Sequence, residues 1–180
     1  WPSHSSLFGI IDLAGLPKDR YYLYRSRWNR ADTTLHILPH WTWPGREGEV
    51  TPVFVYTNFP KAELFVNGRS QGMREKNDSS RMNRYRLMWN EVLYEPGEVR
   101  VVAYDANGNK AAEKVMRTAG KPYALKLSSA MPSLSADGED LAYITVQAVD
   151  KEGNPVPYAD NMVRFSVRGN GSYRAATNGD

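Results

Sequence analysis

Val53-Phe-Val-Tyr-Thr-Asn-Phe-Pro-Lys-Ala-Glu-Leu-Phe-Val-Asn-Gly-Arg-Ser-Gln-Gly72 decides how this chain folds. Val53 and Val55 point to one side of an extended segment and Phe54 and Tyr56 to the other, the period of two that a strand imposes. Ala62, Leu64 and Val66 then alternate up to Asn67-Gly68, the strongest short-range hairpin signal, so residues 69–76 are expected to return as a paired strand. Further strands are expected at 84–90 and 98–105, separated by Pro96-Gly97, and at 110–117 after Asn107-Gly108. Short strands with turns at this spacing indicate a β-sandwich, Ig-like in the broad sense, over residues 49–118.

Toward the C-terminus, Ala119-Gly120-Lys121-Pro122 reads as a linker. The pattern resumes at 124–129, 141–150 and 162–168, which predicts a second Ig-like module over residues 119–180. Those strands make about half a sandwich. An uncovered apolar face and open edges would remain, so the natural protein is expected to continue past Asp180. Asp105 to Asn109 and Asp150 to Asn154 imitate calcium loops, but neither has the glycine and glutamate spacing of one, and hairpin turns are the expectation.

Toward the N-terminus, Tyr21, Tyr24 and Trp28 fall at i, i+3 and i+7, one face of a helix over residues 18–28, where core packing is the ordinary role. Between helix and sandwich, residues 35–48 form a junction containing Leu35-His-Ile-Leu-Pro-His-Trp-Thr-Trp-Pro-Gly45. His36 and His40 have metal-ligand spacing only if helical, and Pro39 between them argues against that helix. Two readings of Trp41-Thr42-Trp43 stay open. Its rings could offer a sugar a rigid apolar face, or they could pack the junction.

Composition excludes several functions. Without cysteine there is no disulfide, thiolate metal site or thiol nucleophile. A net charge of +3, from 23 Lys and Arg against 20 Asp and Glu, is too balanced to argue for nucleic acid. No stretch has the roughly 20 apolar residues of a membrane span. Ser3, Ser5 and Ser6 surround His4 without the elbow of a serine hydrolase.

The order of motifs resembles a known family. Trp1-Pro-Ser-His-Ser-Ser-Leu-Phe-Gly-Ile-Ile-Asp-Leu-Ala-Gly-Leu-Pro-Lys-Asp19, followed by Tyr21-Tyr-Leu-Tyr-Arg-Ser-Arg-Trp28, resembles the end of the catalytic (β/α)8 barrel of glycoside hydrolase family 2, the bacterial β-galactosidase family. Val53 to Gly72, with Trp89, Tyr94-Glu-Pro-Gly97 and Val102-Ala-Tyr-Asp105, looks like the sandwich after that barrel. The resemblance implies a mainly β chain, tandem Ig-like sandwich modules preceded by a barrel remnant (residues 1–34, a loop plus the last helix). It implies the C-terminal fragment of a retaining exo-glycosidase acting on β-galactosides, with a carbohydrate substrate and no cofactor. The family's catalytic glutamates lie on earlier barrel strands and correspond to no residue here, so the fragment is expected to be inactive. Trp1, His40, Trp41 and Trp43 are the candidates for lying near the sugar cleft. The competing expectation is a non-catalytic carbohydrate-binding or adhesive tandem.

Overall fold

Alternating apolar residues fold into two facing sheets in the computed structural model, which describes residues 8–129, 131 and 133–177. A helix, α1 (Asp19–Trp28), comes first, followed by strands β1 (Leu35–Leu38), β2 (Val53–Thr57), β3 (Lys61–Val66), β4 (Arg69–Glu75), β5 (Leu87–Trp89), β6 (Glu98–Tyr104), β7 (Lys110–Arg117), β8 (Ala124–Ser129) and β9 (Ile144–Val149). The strands form a three-stranded sheet in the order β1-β2-β5, a four-stranded sheet in the order β4-β3-β6-β7, and a β8-β9 ladder. All pairings are antiparallel.

The inner faces follow from the period of two. Ala62, Leu64 and Val66 of β3 and Val99, Val101 and Ala103 of β6 meet Ile37, Val53, Val55, Leu87 and Trp89 of the smaller sheet in one buried cluster. Lys61, Glu63 and Phe65 face outward, and the Arg100 guanidinium lies 4.1 Å from the Phe65 ring centroid. The hairpin forms at Asn67-Gly68, where both residues have positive φ, as its tight turn requires.

Leu35–Leu38, assigned to the junction on sequence, pairs along its whole length with Leu35↔Thr57 to Leu38↔Phe54. It is therefore an edge strand of the smaller sheet. The helix behaves differently from its predicted stripe. Trp28 is 75% exposed and Tyr24 40%, and the two rings stack on each other at 4.9 Å. Contact with the sheet is made one residue away, where Tyr22 stacks on His36 at 3.9 Å and His36 in turn lies 6.4 Å from Tyr56. Period fixes which residues share a face but not which face finds a partner.

The second module forms less than its pattern predicts. β8 and β9 pair from Ala124↔Val149 to Ser129↔Ile144, but residues 162–168 have no regular structure. Leu125, Leu127 and Ile144 stay exposed on one face of the ladder. Two strands bury too little apolar surface to recruit a third. Both calcium-like segments are Asx-stabilised turns. Asp105 Oδ1 accepts the backbone N–H of Asn107 and Asn109 at 2.9 and 2.8 Å, and Asp150 Oδ1 accepts those of Glu152 and Asn154 at 3.1 and 2.7 Å. The bonds from Asn109 to Asp105 and from Asn154 to Asp150 hold each carboxyl below the ordinary aspartate range.

Candidate functional site

The aromatic turn divides into an inside and an outside. Trp41 is 1% exposed and packs edge-on to Tyr94 with centroids 5.2 Å apart. Its Nε1–H donates to Glu95 O at 3.0 Å. A ring covered on all sides has no face to give a sugar, so Trp41 leaves the set of contact candidates and joins the core. Trp1 lies outside the described residues.

Hydrogen bonds fix the turn to two distant segments. The Thr118 hydroxyl donates to Trp41 O at 2.7 Å, and the Ala119 N–H donates to Thr42 Oγ1 at 2.9 Å. Trp43 N–H donates to the Tyr94 hydroxyl at 3.1 Å. With its proton committed to Trp41 O, Thr118 Oγ1 accepts from the Tyr94 hydroxyl at 3.5 Å. The linker continues the chain of bonds, since Gly120 N–H donates to Asp150 Oδ2 at 2.9 Å. The turn thus ties the sandwich to the first residues of the β8-β9 module.

What remains outside is a stack. His40 is exposed, Trp43 is half-buried, and their rings lie 4.0 Å apart at 25°. Arg46 places its guanidinium carbon 5.1 Å from the Trp43 ring and bonds Glu49 Oε2 at 2.8 Å through Nε. Sequence reasoning missed Arg46. Its one signal is a cation three residues beyond a tryptophan across the Pro44-Gly45 turn. Trp43 Nε1 is buried without a hydrogen-bond partner among the described residues, a donor left unpaid at about 1–3 kcal/mol.

The two histidines diverge. His36 Nε2 lies 2.7 Å from Asp19 Oδ1, whereas His40 goes to Trp43. Among the described residues no group of three or more His, Cys, Asp or Glu side chains gathers as a metal site would need. Partial burial lowers the His40 pKa below the ordinary 6.5, opposed by the Asp19 carboxylate. The folded chain therefore binds this proton more weakly than the unfolded one, so stability from this group is present above 6.5 and is lost as pH falls from there through the lower folded value. Imidazolium quenches indole emission more than imidazole does. Trp43 fluorescence is expected to fall on acidification with a midpoint below 6.5, and His40→Gln should abolish the step. A midpoint above 6.5, or a step that survives the substitution, would contradict the stack.

Comparison with known proteins adds family to geometry. Residues 125–180 match the model described as glycoside hydrolase family 2 C-terminal domain 5, and residues 48–112 match a domain of unknown function (DUF4982). The chain is 45% identical over 181 residues to the beta-galactosidase BoGH2A of Bacteroides ovatus, a match covering 100% of this chain and 20% of that protein. A putative beta-glucuronidase of Formosa agariphila is 35% identical, covering 99% of the chain and 17% of the relative. Among solved structures, a beta-glycosidase from Bacteroides vulgatus superposes with a TM-score of 0.79 at 37% identity, covering 89% of this chain and 20% of that one. The chain spans about a fifth of the length of these relatives. Residues 125–180 thus carry a glycoside hydrolase family 2 C-terminal domain, and the chain as a whole aligns with glycosidases of this kind along its length.

Proposed function

We propose that this chain is the non-catalytic C-terminal portion of a retaining exo-glycosidase that hydrolyses β-galactosides. In this reading residues 1–34 complete the catalytic barrel, and Trp1, His40 and Trp43 border its sugar cleft. The observation that carries it is the 45% identity to a beta-galactosidase along the whole chain. The uncovered Tyr24 and Trp28 face supports it, because a barrel in the parent enzyme gives that apolar surface a partner. The sandwich then acts as a rigid mount, holding the turn through Trp41 and presenting Trp43 beside His40. A β-glucuronide is the second substrate reading, favoured by the name of the Formosa agariphila relative.

The parent enzyme tests the proposal. It should hydrolyse a nitrophenyl β-galactoside faster than the β-glucuronide, while the 180-residue chain should hydrolyse neither. Trp43→Ala in the parent should lower kcat/KM about tenfold, equivalent to about 1.4 kcal/mol. Turnover by the chain alone would sink the proposal, and unchanged kinetics in the variant would remove Trp43 from the cleft.

A further inference from the structure

A groove of about 570 Å³ opens where edge strands β4 and β5 meet. It lies on the side of the three-stranded sheet opposite β1. Its floor is fixed by two bonds between the strands: Trp89 Nε1–H donates to Gly72 O at 2.9 Å and Arg74 Nε–H to Met88 O at 3.3 Å. The segment joining β4 to β5 contributes Asn83 and Arg86 to the lining and is itself folded. Within it Asn77 N–H donates to Asn83 O at 3.2 Å, Arg84 N–H donates to Ser80 O at 3.0 Å, and the Arg84 guanidinium bonds Asp78 O. The cavity is therefore preformed, and its volume falls within the ~300–1,000 Å³ usual for small-molecule sites.

Its lining departs from the usual apolar one. Arg74 and Arg86 bring donors, Glu75 and Glu91 bring acceptors, and Asn83 and Asn90 bring both. Among the described residues neither guanidinium is in an ion pair. Among the described residues the side chains of Glu75, Asn83, Asn90 and Glu91 have no hydrogen-bond partner. Two positive and two negative groups cancel, which gives no preference for an anion. Planar donors and acceptors lining one groove at no net charge match vicinal hydroxyls, each of which donates and accepts at once. Met88, half-buried beside it, adds apolar surface for a ring's C–H groups.

We propose that this groove is an accessory site for a neutral saccharide, separate from the His40 and Trp43 stack. The choice of ligand class rests on the glycosidase reading above. Amide correlation spectra of the full chain, recorded by NMR during titration with galactotetraose, test it. Saturable shifts are expected at the side-chain amides of Gln71, Asn83 and Asn90, and a tetragalacturonate should shift them less. Asn83→Ala combined with Glu91→Ala, both surface changes that leave the backbone bonds in place, should abolish the galactotetraose shifts while near-UV circular dichroism stays unchanged. Absence of saturable shifts, shifts that persist in the double variant, or a response to the uronate alone would overturn the proposal. The outcomes separate it from the functional reading. A silent groove with lowered kcat/KM in Trp43→Ala removes this site only, whereas groove shifts with unchanged Trp43→Ala kinetics remove only the cleft role of the turn.

Discussion

Trp41→Ala is expected to destabilise the folded chain by about 3–5 kcal/mol, the range for removing a fully buried tryptophan. The ring contributes to the shared cluster of both sheets, and nothing around it is free to collapse into the space. Ile37, Val53, Val92 and Tyr94 of the same cluster are each at most 3% exposed. Truncation also leaves Glu95 O without the indole donor that reaches it at 3.0 Å. Trp41→Phe should cost less, because it keeps most of the ring and loses the hydrogen bond. Trp28→Ala, at a ring 75% exposed, should change stability little in the isolated chain. Urea unfolding of the three variants checks this order. A Trp41→Ala loss below about 1 kcal/mol would mean that the ring is not in the core.

Gly97→Ala is expected to cost about 2–4 kcal/mol, from about 1–3 for a backbone conformation that side chains rarely adopt and about 1 for a lost hydrogen bond. Gly97 has φ +134°, and a Cβ there would stand 2.0 Å from Asn67 Oδ1. Asn67 is not free to retreat. Its Oδ1 accepts Glu98 N–H at 2.7 Å, its Nδ2–H donates to Pro96 O at 3.1 Å, and its own N–H donates to Glu98 O at 2.8 Å. Displacing it loosens the start of β6, a central strand paired with both β3 and β7. The clash has a signature. Asn67→Ala removes the obstructing atoms, so the double variant should lose less than the two single losses together. Strict additivity would show that the two turns are not docked as described.

How much was legible in the sequence follows from what each signal depends on. Strands β3, β6 and β7 were readable to within a residue or so, because alternation and the Asn67-Gly68 and Asn107-Gly108 turns are local. Leu35–Leu38 read as part of the junction, not of the sheet. Its partner is β2, some fifteen residues on in the chain, and no local pattern announces that pairing. The Tyr21, Tyr24 and Trp28 stripe was found, yet its packing role depends on surface that the described residues do not supply. Residues 162–168 carry strand-like alternation, and alternation without a neighbouring edge does not make a strand.

The candidate site divides for a similar reason. Trp41-Thr42-Trp43 was conspicuous as a cluster of aromatics, but which ring turns inward depends on Tyr94 and Thr118, distant residues that seize the backbone on either side of it. Arg46 went unnoticed because its contact with Trp43 exists only once the Pro44-Gly45 turn has formed. Motif order carries the family resemblance, whereas only long-range contacts separate the buried Trp41 ring from the Trp43 stack.

Hydrogen exchange at the indole N–H groups tests the central claim most directly, that the aromatic turn is anchored in the sandwich by Trp41. The Trp41 and Trp89 indoles, each 2% exposed or less and each hydrogen-bonded to a backbone carbonyl, should exchange only through global unfolding. The exposed Trp28 indole should exchange at the rate of a free side chain. A Trp41 indole that exchanges as fast as that of Trp28 would contradict the account.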